Sequence, residues 1–161
     1  MEKHDELLVS LRRVIRAIDL RSKELERTVG LTGPQLMIML ELQQRSGTMV
    51  KKLAEKTNLS PATVTSILDR LELKGLINRV RSTEDKRRVS LTLTDKGEEI
   101  LAGAPKPLQA NFINQFDQLH DWEQSQLVAS MQRIASMMDA ADLDASPFLE
   151  VGGLRDQQKT S

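Results

Sequence analysis

The chain has 161 residues, with 23 Lys plus Arg against 23 Asp plus Glu, two histidines and no cysteine. That length can bury a core without a disulfide or metal staple, and the missing cysteine excludes a disulfide framework, a thiol nucleophile and a thiol-based redox switch. The longest apolar run, Leu36 to Leu40, is far too short to cross a bilayer, and the charged stretch Glu2 to Glu6 does not read as a secretory leader. A cytoplasmic protein with no membrane partner is therefore expected.

In chain order, Leu7, Leu11, Val14, Ile18, Leu25 and Val29 recur at the helical period, with Arg12, Arg16 and Lys23 opposite them. This predicts a long amphipathic helix over 5–29, closed by Gly30. A second helix opens near Thr32, Gly33 and Pro34, where proline suits a first turn, and stops at Ser46 and Gly47. A short helix follows over 50–57, then a turn at Asn58 and Leu59. Ser60 can cap the next helix and Pro61 fits its first position, while Lys74 followed by Gly75 marks its end.

The pattern then alternates. Leu76 to Arg81 and Val89 to Leu93 read as short strands around the polar turn 82–88, a hairpin with a charged tip. Thr94 to Gly97 leads into further helix, which Pro105 and Pro107 must interrupt or kink. Helical spacing resumes through Phe112, Ile113, Phe116 and Leu119, and again from Trp122 to about Asp139. Residues 145–161 carry Pro, Gly, Gln and Ser and read as a loose tail.

Function rests on the helix at 61–74. Val64, Ile67, Leu68 and Leu71 form its apolar stripe, and over the first turns the opposite side carries Ala62, Thr63 and Ser66, with Thr65 at the flank. Small side chains able to donate and accept hydrogen bonds are what a helix entering a major groove needs, since bulk would hold the backbone away from the base edges. Arg70 and Lys74 stand beside them, placed for phosphates. The candidate recognition surface is thus Ser60, Pro61, Ala62, Thr63, Thr65, Ser66, Arg70 and Lys74; an ordinary surface helix with a weak polar face is the alternative.

The hairpin tip adds Asp85, Lys86, Arg87 and Arg88, and an arginine on such a ribbon can enter a narrow minor groove. Asp85 repels phosphate, so its place there makes sense if it pairs with Arg87 or with a strand arginine such as Arg81. A solvated turn of mixed charge is the alternative. Charge is unevenly spread, by chance clustering of solvated side chains or for a purpose: residues 31–97 hold 12 basic and 7 acidic side chains, a net of +5, whereas residues 98–161 hold 4 and 10, a net of −6. Such asymmetry suggests a local polyanion-binding surface.

The stretch from Lys52-Leu53-Ala54 through Leu59-Ser60-Pro61-Ala62-Thr63-Val64-Thr65, then Leu68-Asp69-Arg70-Leu71-Glu72 and Lys74-Gly75-Leu76-Ile77 with Arg79, resembles the helix-turn-helix of the MarR (multiple antibiotic resistance regulator) family. Asp85-Lys86-Arg87-Arg88 followed by Leu91-Thr92-Leu93-Thr94 and Gly97 is similar to that family's wing signature. The resemblance covers about residues 5–140. It implies a homodimer whose first and last helices interlock, a minor-groove role for Arg87 and a supporting role for Asp85. Two features depart from the pattern: Met49 stands where a serine or threonine cap is usual, and Pro105 with Pro107 is unusual after the wing.

The expected architecture is mostly α with a small β-hairpin wing. It divides into an N-terminal dimerisation helix at 1–30, a winged helix-turn-helix at 31–97, C-terminal dimerisation helices at 98–144 and a flexible tail at 145–161. Apolar stripes that include Phe112, Phe116, Trp122, Met131, Ile134 and Met138 exceed what a wing domain alone can cover, which favours a shared dimer core over packing of the stripes on each other within one chain. No cofactor, metal site or catalytic residue is expected, because His4 and His120 stand in no recognisable base or ligand spacing. The function read from this is a repressor that binds a palindromic double-stranded DNA operator as a homodimer. A helical adaptor without nucleic acid and a non-specific DNA-packaging protein are the alternatives.

A small-molecule or ionic effector is implied by the resemblance alone. Arg21 and Ser22 could touch an anion at a crevice beside the first helix, with a structural salt bridge or dimer contact as the other reading. The segments 11–20 and 32–35 resemble a subgroup controlling osmolyte (compatible-solute) genes.

Overall fold

The structure is a computed structural model that describes residues 2–85 and 87–143. Lys86 and the tail expected at 145–161 lie outside the described residues. The chain divides into two compact units, one reaching to Pro105 and the other starting at Lys106.

The first unit runs α1 (Lys3–Val29), α2 (Gly33–Gln44), α3 (Val50–Thr57), α4 (Pro61–Leu73), β1 (Ile77–Arg81), β2 (Val89–Leu93) and α5 (Asp95–Gly103). Its helix ends follow local chemistry. Thr32 and Gln35 form a reciprocal capping box at α2, the Thr32 hydroxyl accepting from the Gln35 amide at 3.4 Å and the Gln35 side chain from the Thr32 amide at 3.1 Å. Met49 gives α3 no side-chain cap, as its chemistry predicts. At α4 the Ser60 hydroxyl accepts the Thr63 amide at 3.1 Å.

The end of α4 differs slightly from the sequence reading. Leu76 donates to the Leu71 carbonyl at 3.0 Å and Gly75 to Glu72 at 2.9 Å, with Gly75 at φ 72°. Leu76 therefore closes the helix in a Schellman turn, and the strand begins one residue later. β1 and β2 pair antiparallel with Ile77 opposite Leu93, Arg79 opposite Leu91 and Arg81 opposite Val89. Gly47 donates to the Leu91 carbonyl at 2.9 Å, tying the loop before α3 to the ribbon.

One core fills this unit. Leu36, Ile38, Met39 and Leu42 from α2 pack with Leu53 from α3, Val64, Leu68 and Leu71 from α4, and Ile77 and Leu91 from the strands, all fully buried. Each such side chain contributes about 1.5–3 kcal/mol of apolar burial, so α4 is held chiefly by its inner stripe. The junction after the wing is tighter still. The Thr94 hydroxyl donates to the Gly75 carbonyl at 2.7 Å and accepts the Gly97 amide at 3.0 Å, capping α5 while gripping the end of α4. A Cβ at Gly97 would collide with the Leu76 carbonyl, which explains the glycine.

The prolines break the helix rather than kink it: α5 ends at Gly103, and α6 (Leu108–Asp117) begins after Pro107. The second unit holds α6 and α7 (Asp121–Met137), joined by a hydrogen bond from Gln124 Nε2 to the Phe116 carbonyl at 2.8 Å. No residue of either helix is buried, and Phe112, Ile113, Trp122, Leu127, Val128 and Met131 are exposed. Along α1, Leu7, Leu8, Val14, Ile15 and Leu20 are exposed as well. Among the described residues no helix is long and apolar enough to cross a membrane.

Candidate nucleic-acid interface

The inner stripe of α4 turns its other side outward. Pro61, Ala62, Thr65, Ser66, Asp69 and Arg70 are exposed, and Thr63 is half-buried. The hydroxyls are not equivalent. Thr63 Oγ1 lies 2.8 Å from Ser60 Oγ, so these two share the helix start, and Thr65 Oγ1 donates back to the Pro61 carbonyl at 2.9 Å. The Ser66 side chain makes no hydrogen bond among the described residues and presents a hydroxyl with free donor and acceptor capacity. Lys74, expected beside the phosphates, sends Nζ to the Gly30 carbonyl at 2.9 Å and so ties the end of α4 to the cap of α1.

Sequence reasoning placed Arg79 only as a strand residue after the helix. Its Nη2 lies 2.7 Å from Asp69 Oδ1 and 3.4 Å from the Thr65 carbonyl, and its Nε lies 3.4 Å from Glu72 Oε2. Thr65, Asp69 and Glu72 fall at i, i+4 and i+7, the spacing of one helix face, and that spacing beside a strand arginine was the signal available.

The wing tip is built by side chains that hold backbone amides. Ser82 Oγ accepts from Glu84 at 3.3 Å and from Asp85 at 3.4 Å, and Asp85 Oδ1 accepts the Arg87 amide at 3.0 Å. The ion pair of Asp85 is with neither residue expected for it: Arg88 Nε stands 3.8 Å from Asp85 Oδ2, while Arg81 and the Arg87 guanidinium are not engaged by it. A two-residue separation lets the carboxylate reach the next-but-one amide as in an Asx turn, and the Arg87 guanidinium takes no part in that contact.

Arg21 pairs with Glu24 at 3.0 Å and Ser22 is half-buried. An open crevice of about 290 Å³ lies where α1, α2 and α4 meet, lined by Glu26, Leu31, Gln35, Arg70, Leu73 and Lys74 among others, and neither Arg21 nor Ser22 borders it. Among the described residues no group of three or more His, Asp or Glu could hold a metal ion.

The family profile described as the MarR family matches residues 31–89, the span from α2 to the start of β2. The HTH-type transcriptional repressor MdtR of Bacillus subtilis is 34% identical over 122 residues, covering 71% of this chain and 78% of that protein. The HTH-type transcriptional regulator SarZ of Staphylococcus haemolyticus is 30% identical over 106 residues, covering 66% of this chain and 71% of that one. Among solved structures, the PcaV transcriptional regulator from Streptomyces coelicolor, in complex with its natural ligand, superposes with a TM-score of 0.53 at 25% identity over 78% of this chain and 89% of its own. The chain belongs to the MarR family of winged helix-turn-helix, DNA-binding transcriptional regulators, a family of regulators and not of enzymes.

Proposed function

We propose that this protein is a cytoplasmic repressor that binds a palindromic double-stranded DNA operator as a homodimer. The carrying observation is a juxtaposition within one unit: the exposed small side chains of α4 stand beside a ribbon whose tip holds Arg87 and Arg88 in a shaped turn. A groove-reading helix beside a minor-groove arginine fits the basic balance of residues 31–97, a surface suited to a polyanion. In this reading Ser60, Pro61, Ala62, Thr63, Thr65 and Ser66 approach bases, Arg70 and Lys74 approach phosphates, and Asp85, Lys86, Arg87 and Arg88 form the wing contact.

Residues 1–30 and 98–144 then serve dimerisation. The exposed apolar side chains of α1, and separately those of α6 and α7, support this, since a monomer seldom leaves large apolar patches in water. Footprinting on the chain's own upstream region tests the proposal: it expects an imperfect palindrome with half-site centres about 10 base pairs apart. A protected site lacking any two-fold symmetry, or a stable monomer by light scattering at micromolar concentration, contradicts it.

Release by a small molecule or an ionic signal is part of the proposal, and PcaV, crystallised with its natural ligand, supports the first form by analogy. Arg21 and Ser22 remain the positions to test for an effector. The exposed Arg21–Glu24 pair contributes at most about 1 kcal/mol, so an anion could displace it. The relatives named above give the osmolyte-gene resemblance no support, and the proposal does without it.

A further inference from the structure

We infer that Arg79 is a positioning residue that sets the roll of α4 against the wing and thereby the sequence discrimination of the protein; this rests on the reading of α4 as a groove-reading helix. The apolar stripe of Val64, Leu68 and Leu71 holds α4 in the core, yet apolar burial is non-directional and does little to fix rotation about the helix axis. A groove-reading side chain must be held within roughly 0.5 Å of its productive position. Arg79 supplies the missing direction.

Its own strand position is anchored, because Arg79 pairs in register with Leu91, a fully buried residue of β2. From there one planar guanidinium reaches Thr65, Asp69 and Glu72, contacts spread over two turns of α4. Each contact lies off the helix axis and so opposes roll, and their spread along the face opposes tilt as well. The Arg79 side chain is 28% exposed against 60% for Asp69, so the guanidinium lies beneath the carboxylate rather than out towards solvent. The planar fork suits this arrangement, since it can serve several acceptors at fixed angles. The same pairing offsets two carboxylates, Asp69 and Glu72, that would otherwise repel phosphate on the DNA side of the helix.

The test uses the full chain and fluorescence anisotropy on operator and random duplexes, at several salt concentrations. Arg79→Gln is expected to lower the operator-to-random affinity ratio about tenfold, the loss of one good base contact, while leaving the salt slope on random DNA unchanged. Arg79→Lys should restore part of the ratio through a single ion pair. Asp69→Asn is the sharper variant, because it leaves the guanidinium in place and removes a negative charge. Plain electrostatics expects tighter binding to both duplexes, whereas loss of positioning expects a lower ratio. Combining Asp69→Asn with Arg79→Gln should add little to either alone, and thermal unfolding identifies a variant that has lost its fold, in which case Asp69→Asn decides. Equal losses on both duplexes with a slope lowered by about 1 would make Arg79 a phosphate contact and overturn the inference. A wild-type ratio well above one that both variants keep overturns the Arg79 role alone. A wild-type ratio near one removes the groove-reading proposal and this role with it.

Discussion

Asp85 accepts the backbone amide of Arg87 at 3.0 Å, and its carboxylate leaves the Arg87 guanidinium unengaged. The acid therefore shapes the turn that presents the arginine without neutralising it. Asp85→Ala removes a negative charge near DNA, so electrostatics alone expects tighter binding. The turn geometry predicts the opposite: losing a hydrogen bond of about 1 kcal/mol should loosen the tip and weaken operator binding severalfold. Anisotropy on operator DNA decides the sign, and a tighter complex would reduce the wing to a basic patch.

Arg87→Ala should weaken binding and reduce the slope of log K against log salt by about 1, as expected for one lost phosphate-equivalent contact. Arg87→Lys should recover only part of the affinity, because a narrow groove favours the less strongly hydrated guanidinium. Full recovery by lysine would mean that charge near the backbone, and not minor-groove insertion, is what counts. A salt titration of the three proteins on one duplex measures both effects.

Ser66→Ala should lose about 1–3 kcal/mol of operator affinity with little change on random DNA, the signature of a base-edge contact. Thr63→Ala is the less clean variant, since the Thr63 hydroxyl also bonds Ser60 at the helix start and its loss can lower thermal stability. Equal losses on operator and random DNA for Ser66→Ala would show that this face grips phosphate and reads nothing.

Much of the fold was legible because local chemistry and global packing agree. Pro61 after Ser60, Gly75 after Lys74 and alternation over 89–93 each fix an element end, and each lies within a residue of where the pattern put it. What the sequence hid were side-chain choices among several possible partners. Asp85 had three arginines within reach in the sequence and took the backbone of one and the side chain of another. Lys74 has a partner in the Gly30 carbonyl, 44 residues back, which comes close to it only in three dimensions. Nor does the sequence give Arg79 a role, since its partners lie seven to fourteen residues back on a helix whose roll the periodicity does not fix.

Gly97 offers a test of the junction between wing and α5. Its missing Cβ leaves room for the Leu76 carbonyl, which is backbone and cannot swing away as a side chain would. Gly97→Ala should therefore destabilise the fold by about 1–3 kcal/mol or more, the usual range for overpacking. Thermal unfolding followed by circular dichroism checks it, and an unchanged midpoint would show that the Thr94 cap can shift without loss.

The proposed role requires that this protein read a DNA sequence. Its most direct test compares the dissociation constants of the purified wild-type protein for a duplex from its own promoter region and a scrambled duplex of equal length and base composition, at one physiological salt concentration. At least about a thousandfold preference for the promoter duplex is expected, the lower end for specific regulators. Equal affinity for the two duplexes, or no binding to either, would contradict it.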